Sequence, residues 1–294
     1  IYGSDAIAGV INVIMKKNFS GVVTTGGMGV SDKGDRITHE ISGTFGHNWE
    51  RGNVTLNFGY NNTDPIQQRD RRFSRNKNDP VLGPTTASSK PPGLRVLRDD
   101  PDPGLYFESP TRARVWTDND FFDLSREPFL TSGLERKSFN GSGHFDITPN
   151  VVAVADVYYT NRTSDQRLNP EPLSNDITTQ KYPGLFFPAG SPTYTTVQNY
   201  MTANGLGLLP PDGFSARTRR FDIGNRQYSQ DIDTFRVNAG LEGMLFDKYD
   251  WSLGYVYGKS DAANNTLNEV NFTHLGQLTG QFPCKPADVA AGCS

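Results

Sequence analysis

The sequence predicts an all-β chain, read as part of a transmembrane antiparallel β-barrel with about seven strands in view. Three observations lead there. Gly (30), Tyr (12) and Phe (18) are abundant although only 35% of residues are hydrophobic, a balance that suits strands and turns better than packed helices. Several segments alternate apolar and polar side chains, as a strand does when its two faces meet different surroundings. The connections between these segments alternate between short and very long, with every short turn at one end of the strands, which is the pattern of an outer-membrane barrel.

Residues 1–16 open without an initiator Met or a charged leader, so the chain is expected to begin inside a larger protein. Gly3, Ala6, Ala8 and Gly9 allow close backbone approach, and residues 10–14 read as a β-branched buried strand. Asn12 in that strand needs a buried hydrogen-bond partner. The chain ends at Gly292, Cys293 and Ser294 in loop-like sequence, so a cut is expected there as well.

A Gly- and Thr-rich strand is expected over residues 22–32. From Ile37 the alternation is clear: Ile37, Ile41, Phe45 and Trp49 fall on one side, with Thr38, Glu40, Ser42 and Thr44 on the other. That strand, about 12 residues long, exceeds the usual globular length. Residues 50–52 turn the chain, and Val54, Leu56, Phe58 and Tyr60 mark the next strand, so a hairpin results.

The pattern returns at Phe139, Phe145 and Ile147, turns at residues 148–150, and continues over 151–163, where Ala153, Ala155, Val157 and Tyr159 share a face. A third pair places Phe235, Val237, Leu241 and Leu245 before a turn at 247–250, followed by Trp251, Leu253, Tyr255 and Tyr257. Residues 63–135, 164–233 and 264–294 are the long loops. Loops of that length without periodicity argue against a compact soluble domain. Aromatics near strand ends (Trp49, Phe246, Tyr249 and Trp251 at one end, Tyr60, Tyr159 and Tyr257 at the other) suit interfacial belts or the core of a sandwich.

A net charge of −3 excludes the electrostatic footprint of nucleic-acid binding. No apolar run is long enough for a transmembrane helix, which leaves a membrane barrel open. Cys284 and Cys293 are the only cysteines, spaced as a small disulfide in an oxidising compartment or as two free thiols. His39, His47, His144 and His274 lack metal-ligand spacing, and Asp99, Asp100 and Asp102 lack the alternation of a Ca²⁺ loop. Neither enzyme chemistry nor a cofactor is expected.

The segment Tyr2-Gly3-Ser4-Asp5-Ala6-Ile7-Ala8-Gly9-Val10-Ile11-Asn12-Val13-Ile14 closely resembles the end of the plug domain in TonB-dependent outer-membrane receptors. Met15 stands where that family commonly has Thr, and Gly9 is single where a Gly pair is frequent. The stretch from Arg219-Arg220-Phe221 through Asp231-Ile232-Asp233 to Gly240-Leu241-Glu242-Gly243 is similar to the loop-to-strand passage of the same receptors.

The resemblance implies that residues 1–20 end a plug and residues 21–294 begin a barrel, holding about seven strands of an expected 22. It further implies an outer-membrane location and active uptake of a scarce bulky nutrient. A ferric siderophore comes first, with an oligosaccharide, cobalamin or haem as the other classes. TonB, engaged through an N-terminal segment absent from this sequence, is the implied partner, alongside lipid and lipopolysaccharide.

Strand parity turns Glu40, Asn57, Asn140, His144, Arg236 and Glu242 inward. In the family, inward carboxylates pair with plug Arg residues, so Asn12, Glu40 and Glu242 are plug–barrel candidates; the alternative is that both carboxylates face lumen water. For ligand contact the loops offer Tyr106, Trp116, Phe121, Tyr182, Phe186 and Tyr194, each serving either a ligand or its own loop's packing. Arg219 and Arg220 suit an anionic ligand or solvated surface. A passive porin or adhesin shares the strands but leaves residues 1–16 unexplained. A soluble glycan-binding β-sandwich shares the aromatic loops.

Overall fold

The computed structural model describes residues 18–75, 87–97, 104–174, 185–284 and 286–289. Asn12, Tyr182, Cys293 and the plug-like opening lie outside these residues. The chain forms two compact units, one drawn from residues 1–64, 133–164 and 230–263, the other from 65–132, 165–229 and 264–294.

The all-β expectation holds. Seven long strands form one sheet: β1 (Gly21–Val30), β2 (Ile37–Trp49), β3 (Gly52–Thr63), β4 (Gly133–Thr148), β5 (Val151–Pro170), β6 (Asn225–Leu245) and β7 (Tyr249–Leu267). Each strand bonds to the next in chain order, so β1 and β7 are the two edges and the sheet is not closed among the described residues. The first four pair antiparallel in unbroken register, from Gly21 opposite Gly46 to Leu134 opposite Thr63.

These strands form because their side chains sort by parity. On one face Phe58 and Phe139 meet with ring centroids 5.1 Å apart, and Phe235 approaches Tyr257 at 6.5 Å. On the other, the Thr44 hydroxyl donates to Asn57 Oδ1 at 2.7 Å and the Asn238 amide to Asp156 Oδ2 at 3.4 Å. Gly141 sits where the apolar face is crowded, since a Cβ there would come within 3.0 Å of Val157. That face stays open to its surroundings: Leu253 and Tyr255 are each 67% exposed.

The turn between β6 and β7 is a tight one. The Lys248 N–H donates to the Leu245 carbonyl at 3.2 Å, with Phe246 and Asp247 at φ +55° and +52°. Positive φ at both central residues makes it a type I′ hairpin turn, whose twist matches the strands it joins.

Strands β5, β6 and β7 run further than alternation predicts, to Pro170, back to Asn225 and on to Leu267. The residues added at the start of β6 pair through polar side chains with the end of the expected β5: the Asn161 amide donates to Asp231 at 2.7 Å, and Arg162 to Gln230 at 2.9 Å. With no apolar face there is no period for the sequence to display.

The second unit gives the expected long loops a structure of their own. Short strands form a sheet in the order Pro172–Ser174, Gly213–Arg219, Leu94–Val96, Leu105–Ser109 and Arg112–Val115, with Phe186–Pro188 also paired to Gly213–Arg219. Helix α1 (Pro192–Ala203) packs on one face through Val197 and Met201, which join Val96, Leu105, Phe107 and Phe214 in a buried cluster.

Helix α1 starts where its residues dictate. The Ser191 hydroxyl accepts from the Tyr194 N–H at 3.3 Å, Pro192 fills the first turn, and Val197 and Met201 recur four apart on the buried side. Gly205, at φ +65°, follows its last turn. Helices α2 (Phe272–Leu278) and α3 (Pro286–Val289) are short. No helix among the described residues is long and apolar enough to cross a membrane, which says nothing of strands.

Candidate functional site

Two regions gather the polar and aromatic residues that sequence singled out. In the first unit, an open concavity of about 720 Å³ is lined by Asn57, Asn140, Asp156, Tyr158, Arg236 and Asn238 of the polar face, together with Gly141 and Val157. Asn57, Asn140 and Arg236, assigned to one face by parity, therefore share one surface. Asp156 and Tyr158 complete it. Alternation alone marked them as opposite to Val157 and Tyr159 without naming them as site residues.

Glu40 lies apart from that concavity. It stands in register with Asn61, which in turn opposes Arg136, and the three line a smaller hollow of about 210 Å³. The Glu40 carboxylate folds over Gly27, where any side chain would meet it at 2.5 Å. No ion pair joins Glu40 to Arg136 among the described residues. Glu242 lines a third hollow, of about 520 Å³, beside Asn150, Asp250 and Trp251. His144 stands opposite Asn53.

In the second unit the structure brings Tyr106, Trp116 and Phe121 together. The Tyr106 and Trp116 rings meet edge-on at 5.8 Å and 88°, and Trp116 meets Phe121 at 5.6 Å. The cause is register. Arg217, Arg95, Tyr106 and Arg114 lie opposite one another across four strands, on the face turned away from Val96 and Leu105. Arg95 stacks over Trp116 at 4.1 Å and Arg114 over Tyr106 at 5.2 Å.

Arg114 also holds two carboxylates. It donates to Asp120 Oδ2 at 2.7 Å and Oδ1 at 2.5 Å, and to Glu108 Oε1 at 3.1 Å. The Thr117 N–H and hydroxyl donate to the same Asp120 carboxylate at 2.8 and 2.9 Å. The guanidinium first and the Thr117 donors after it hold the Asp120 carboxyl down to about 2. Burial lowers the Arg95 pKa, the neighbouring Arg217 charge adds to that, and Asp120 opposes both.

Arg219 is 3% exposed and spends its donors within the unit. It donates to the Pro170 carbonyl at 2.7 Å, the Ser88 hydroxyl at 3.1 Å and the Lys90 carbonyl at 3.4 Å, and its guanidinium carbon lies 4.7 Å from the Phe122 ring centroid. Burial, then the Arg226 charge, brings its pKa down to about 10, so it stays charged at neutral pH. Arg220 instead pairs with Asp222 at the surface.

Tyr194 donates its hydroxyl to the Pro210 carbonyl at 3.1 Å and sets its ring 6.3 Å from Phe214. Phe186 stands opposite Ser215. Trp116, at 5% exposure, and Arg219 thus contribute to the interior of the second unit. Cys284 is disulfide-bonded, and the chain's other cysteine, Cys293, lies outside the described residues.

Among the described residues no group of three or more His, Cys, Asp or Glu is placed to hold a metal ion. No known family model matches the chain, and a search of curated proteins finds none similar to it.

Proposed function

We propose that this chain is part of a TonB-dependent outer-membrane receptor that takes up a scarce bulky nutrient, a ferric siderophore foremost. One observation carries the reading: seven successive strands, bonded in chain order, have an exposed apolar face and an opposite face that gathers Asn57, Asn140, Asp156, Arg236 and Asn238. An exposed apolar sheet face of that extent suits lipid rather than water, and a polar inner face suits a lumen.

In this reading residues 1–20 end the plug and residues 21–294 begin the barrel. The lumen face is the plug's seat, with Glu40 and Glu242 the carboxylates available to plug Arg residues. Asn57, Asn140, Asp156 and Arg236 offer donors and acceptors to the same surface. The protein breaks no bond of its ligand and uses no cofactor. TonB supplies the energy from the inner membrane, and the outer face meets lipid and lipopolysaccharide.

The test is uptake by cells carrying the full-length protein, supplied in turn with ferric siderophores, haem, cobalamin and oligosaccharides. Accumulation of one ligand class is expected to depend on TonB and to stop with a protonophore, while binding at the cell surface persists. Accumulation indifferent to TonB would replace this reading with a passive porin. Recovery of the protein in the aqueous extract, not the outer-membrane fraction, would end it.

A further inference from the structure

The second unit contains a pocket that none of the roles above uses. It has a volume of about 480 Å³ and lies between helix α1 and the hairpin of Leu105–Ser109 and Arg112–Val115. That size falls within the range of small-molecule sites, roughly 300–1,000 Å³. Its floor is the cross-strand pair of Leu94 and Phe107, with Val197 behind. Pro110 and Pro192, both exposed, also line it.

The walls are held in place from below. The Ala113 N–H on the hairpin donates to the Tyr200 hydroxyl on α1 at 3.0 Å, and the Phe107 and Tyr200 rings meet at 5.2 Å. Phe107 and Val197 belong to the buried cluster, so the floor is preformed and costs little ordering on binding.

Three features define what fits. The lining is predominantly apolar, so the ligand must bury apolar surface. The one carboxylate at the rim, Glu108, already pairs with Arg112 at 3.2 Å and Arg114 at 3.1 Å, so the site offers no uncompensated charge. The Thr193 and Thr218 hydroxyls, also in the lining, make no hydrogen bond among the described residues, and each can donate or accept.

We infer that this pocket binds an uncharged, mainly apolar small molecule carrying a hydroxyl or carbonyl group, with Thr193 and Thr218 as its polar contacts. A sugar is disfavoured: Phe107 is only 6% exposed and gives no stacking face, and sugar hydroxyls set against Pro110, Pro192 and Leu94 would lose their water without replacement. A charged ligand would lose its hydration for no counter-ion. The pocket lies wholly in the second unit, and the inference does not rest on the transport reading.

Benzyl alcohol is the probe, with benzoate and benzylamine as charged molecules of similar size. They are titrated into the full-length protein carrying isotope-labelled Leu and Val methyl groups. Saturating shifts are expected at the Leu94 and Val197 methyls with benzyl alcohol, and at least tenfold weaker binding of both charged analogues. Thr196, exposed on α1 at the pocket, offers a block: Thr196→Trp should abolish those shifts while other methyls stay in place.

If Thr196→Trp disturbs methyls throughout the protein, Thr218→Val provides the second variant, with a several-fold loss of affinity expected. Shifts that never saturate, that persist equally in both variants, or that are matched by benzoate or benzylamine would overturn the inference.

Discussion

The Arg95 guanidinium carbon lies 4.1 Å from the centroid of the Trp116 ring, in a row where Arg217 stands opposite Arg95 on its other side. One half-buried cation thus has an aromatic face to one side and a like charge to the other. Stacking on Trp, about 2 kcal/mol when desolvated, is the compensation for holding two guanidiniums side by side. Trp116 therefore belongs to the framework of the second unit.

Trp116→Ala is expected to destabilise the second unit by about 3–5 kcal/mol, the usual cost of removing a buried large aromatic side chain. Trp116→Phe, which keeps a π face for Arg95, should lose well under half of that. Thermal unfolding followed by near-ultraviolet circular dichroism separates the two. Equal losses would leave the stacking without energetic weight.

Stability should also fall in acid through Asp120. Its carboxyl titrates at about 2 in the folded chain, below the unfolded value of about 3.9. The folded state therefore holds this group deprotonated more tightly. The resulting stabilisation is fully present above pH ~4 and is lost as pH falls toward about 2. Asp120→Asn should be less stable than the parent at pH 6, with the gap narrowing as pH falls from about 4 through about 2. Parallel melting curves of the two proteins across that window check the sign.

Arg219→Met is expected to cost about 2 kcal/mol or more, because the Pro170 and Lys90 carbonyls lose a buried donor. Arg219→Lys should recover only part, since an ammonium cannot reproduce three separately directed contacts from one planar group. A Met variant with unchanged melting but weakened ligand binding would move Arg219 from the framework to the site.

At the β6–β7 turn, Asp247→Gly should stabilise the hairpin by about 1 kcal/mol, because glycine adopts the left-handed conformation freely where Asp247 is held at φ +52°. Asp247→Val should destabilise it by at least as much. Denaturant midpoints of both variants against the parent give the comparison. A loss on Asp247→Gly would give the 3.3 Å contact from the Asn150 side-chain amide to Asp247 more weight than the backbone strain.

The long strands were legible because their residues alternate. Ile41, Phe45 and Trp49 against Glu40, Ser42 and Thr44 reveal β2, since strand geometry sends successive side chains to opposite faces. The parity that paired Asn57 with Arg236 on one face follows from the same rule. The start of β6 carries no such mark, because Gln230 and Asp231, paired with Arg162 and Asn161 of β5, present no apolar member to set a period.

Of the site residues, Tyr106, Trp116 and Phe121 could be named from their chemistry, but their meeting could not be foreseen. Their cluster depends on a sheet whose strands are three to seven residues long and come from distant parts of the chain, as where Val96 meets Ala216. Strands that short carry no readable alternation, and nothing local announces which strand will lie beside which.

By itself, then, the sequence determined what each residue can decide locally: the β character, the long alternating strands, the short turns between them and the polarity of each sheet face. Tertiary structure alone decided that the long connections fold into a compact unit, that Arg219 is buried while Arg220 is not, and that Arg95, Trp116, Tyr106 and Arg114 share one row. The physical reason is range. Alternation is set by backbone geometry over neighbouring residues, whereas burial and pairing depend on contacts between segments far apart in the chain.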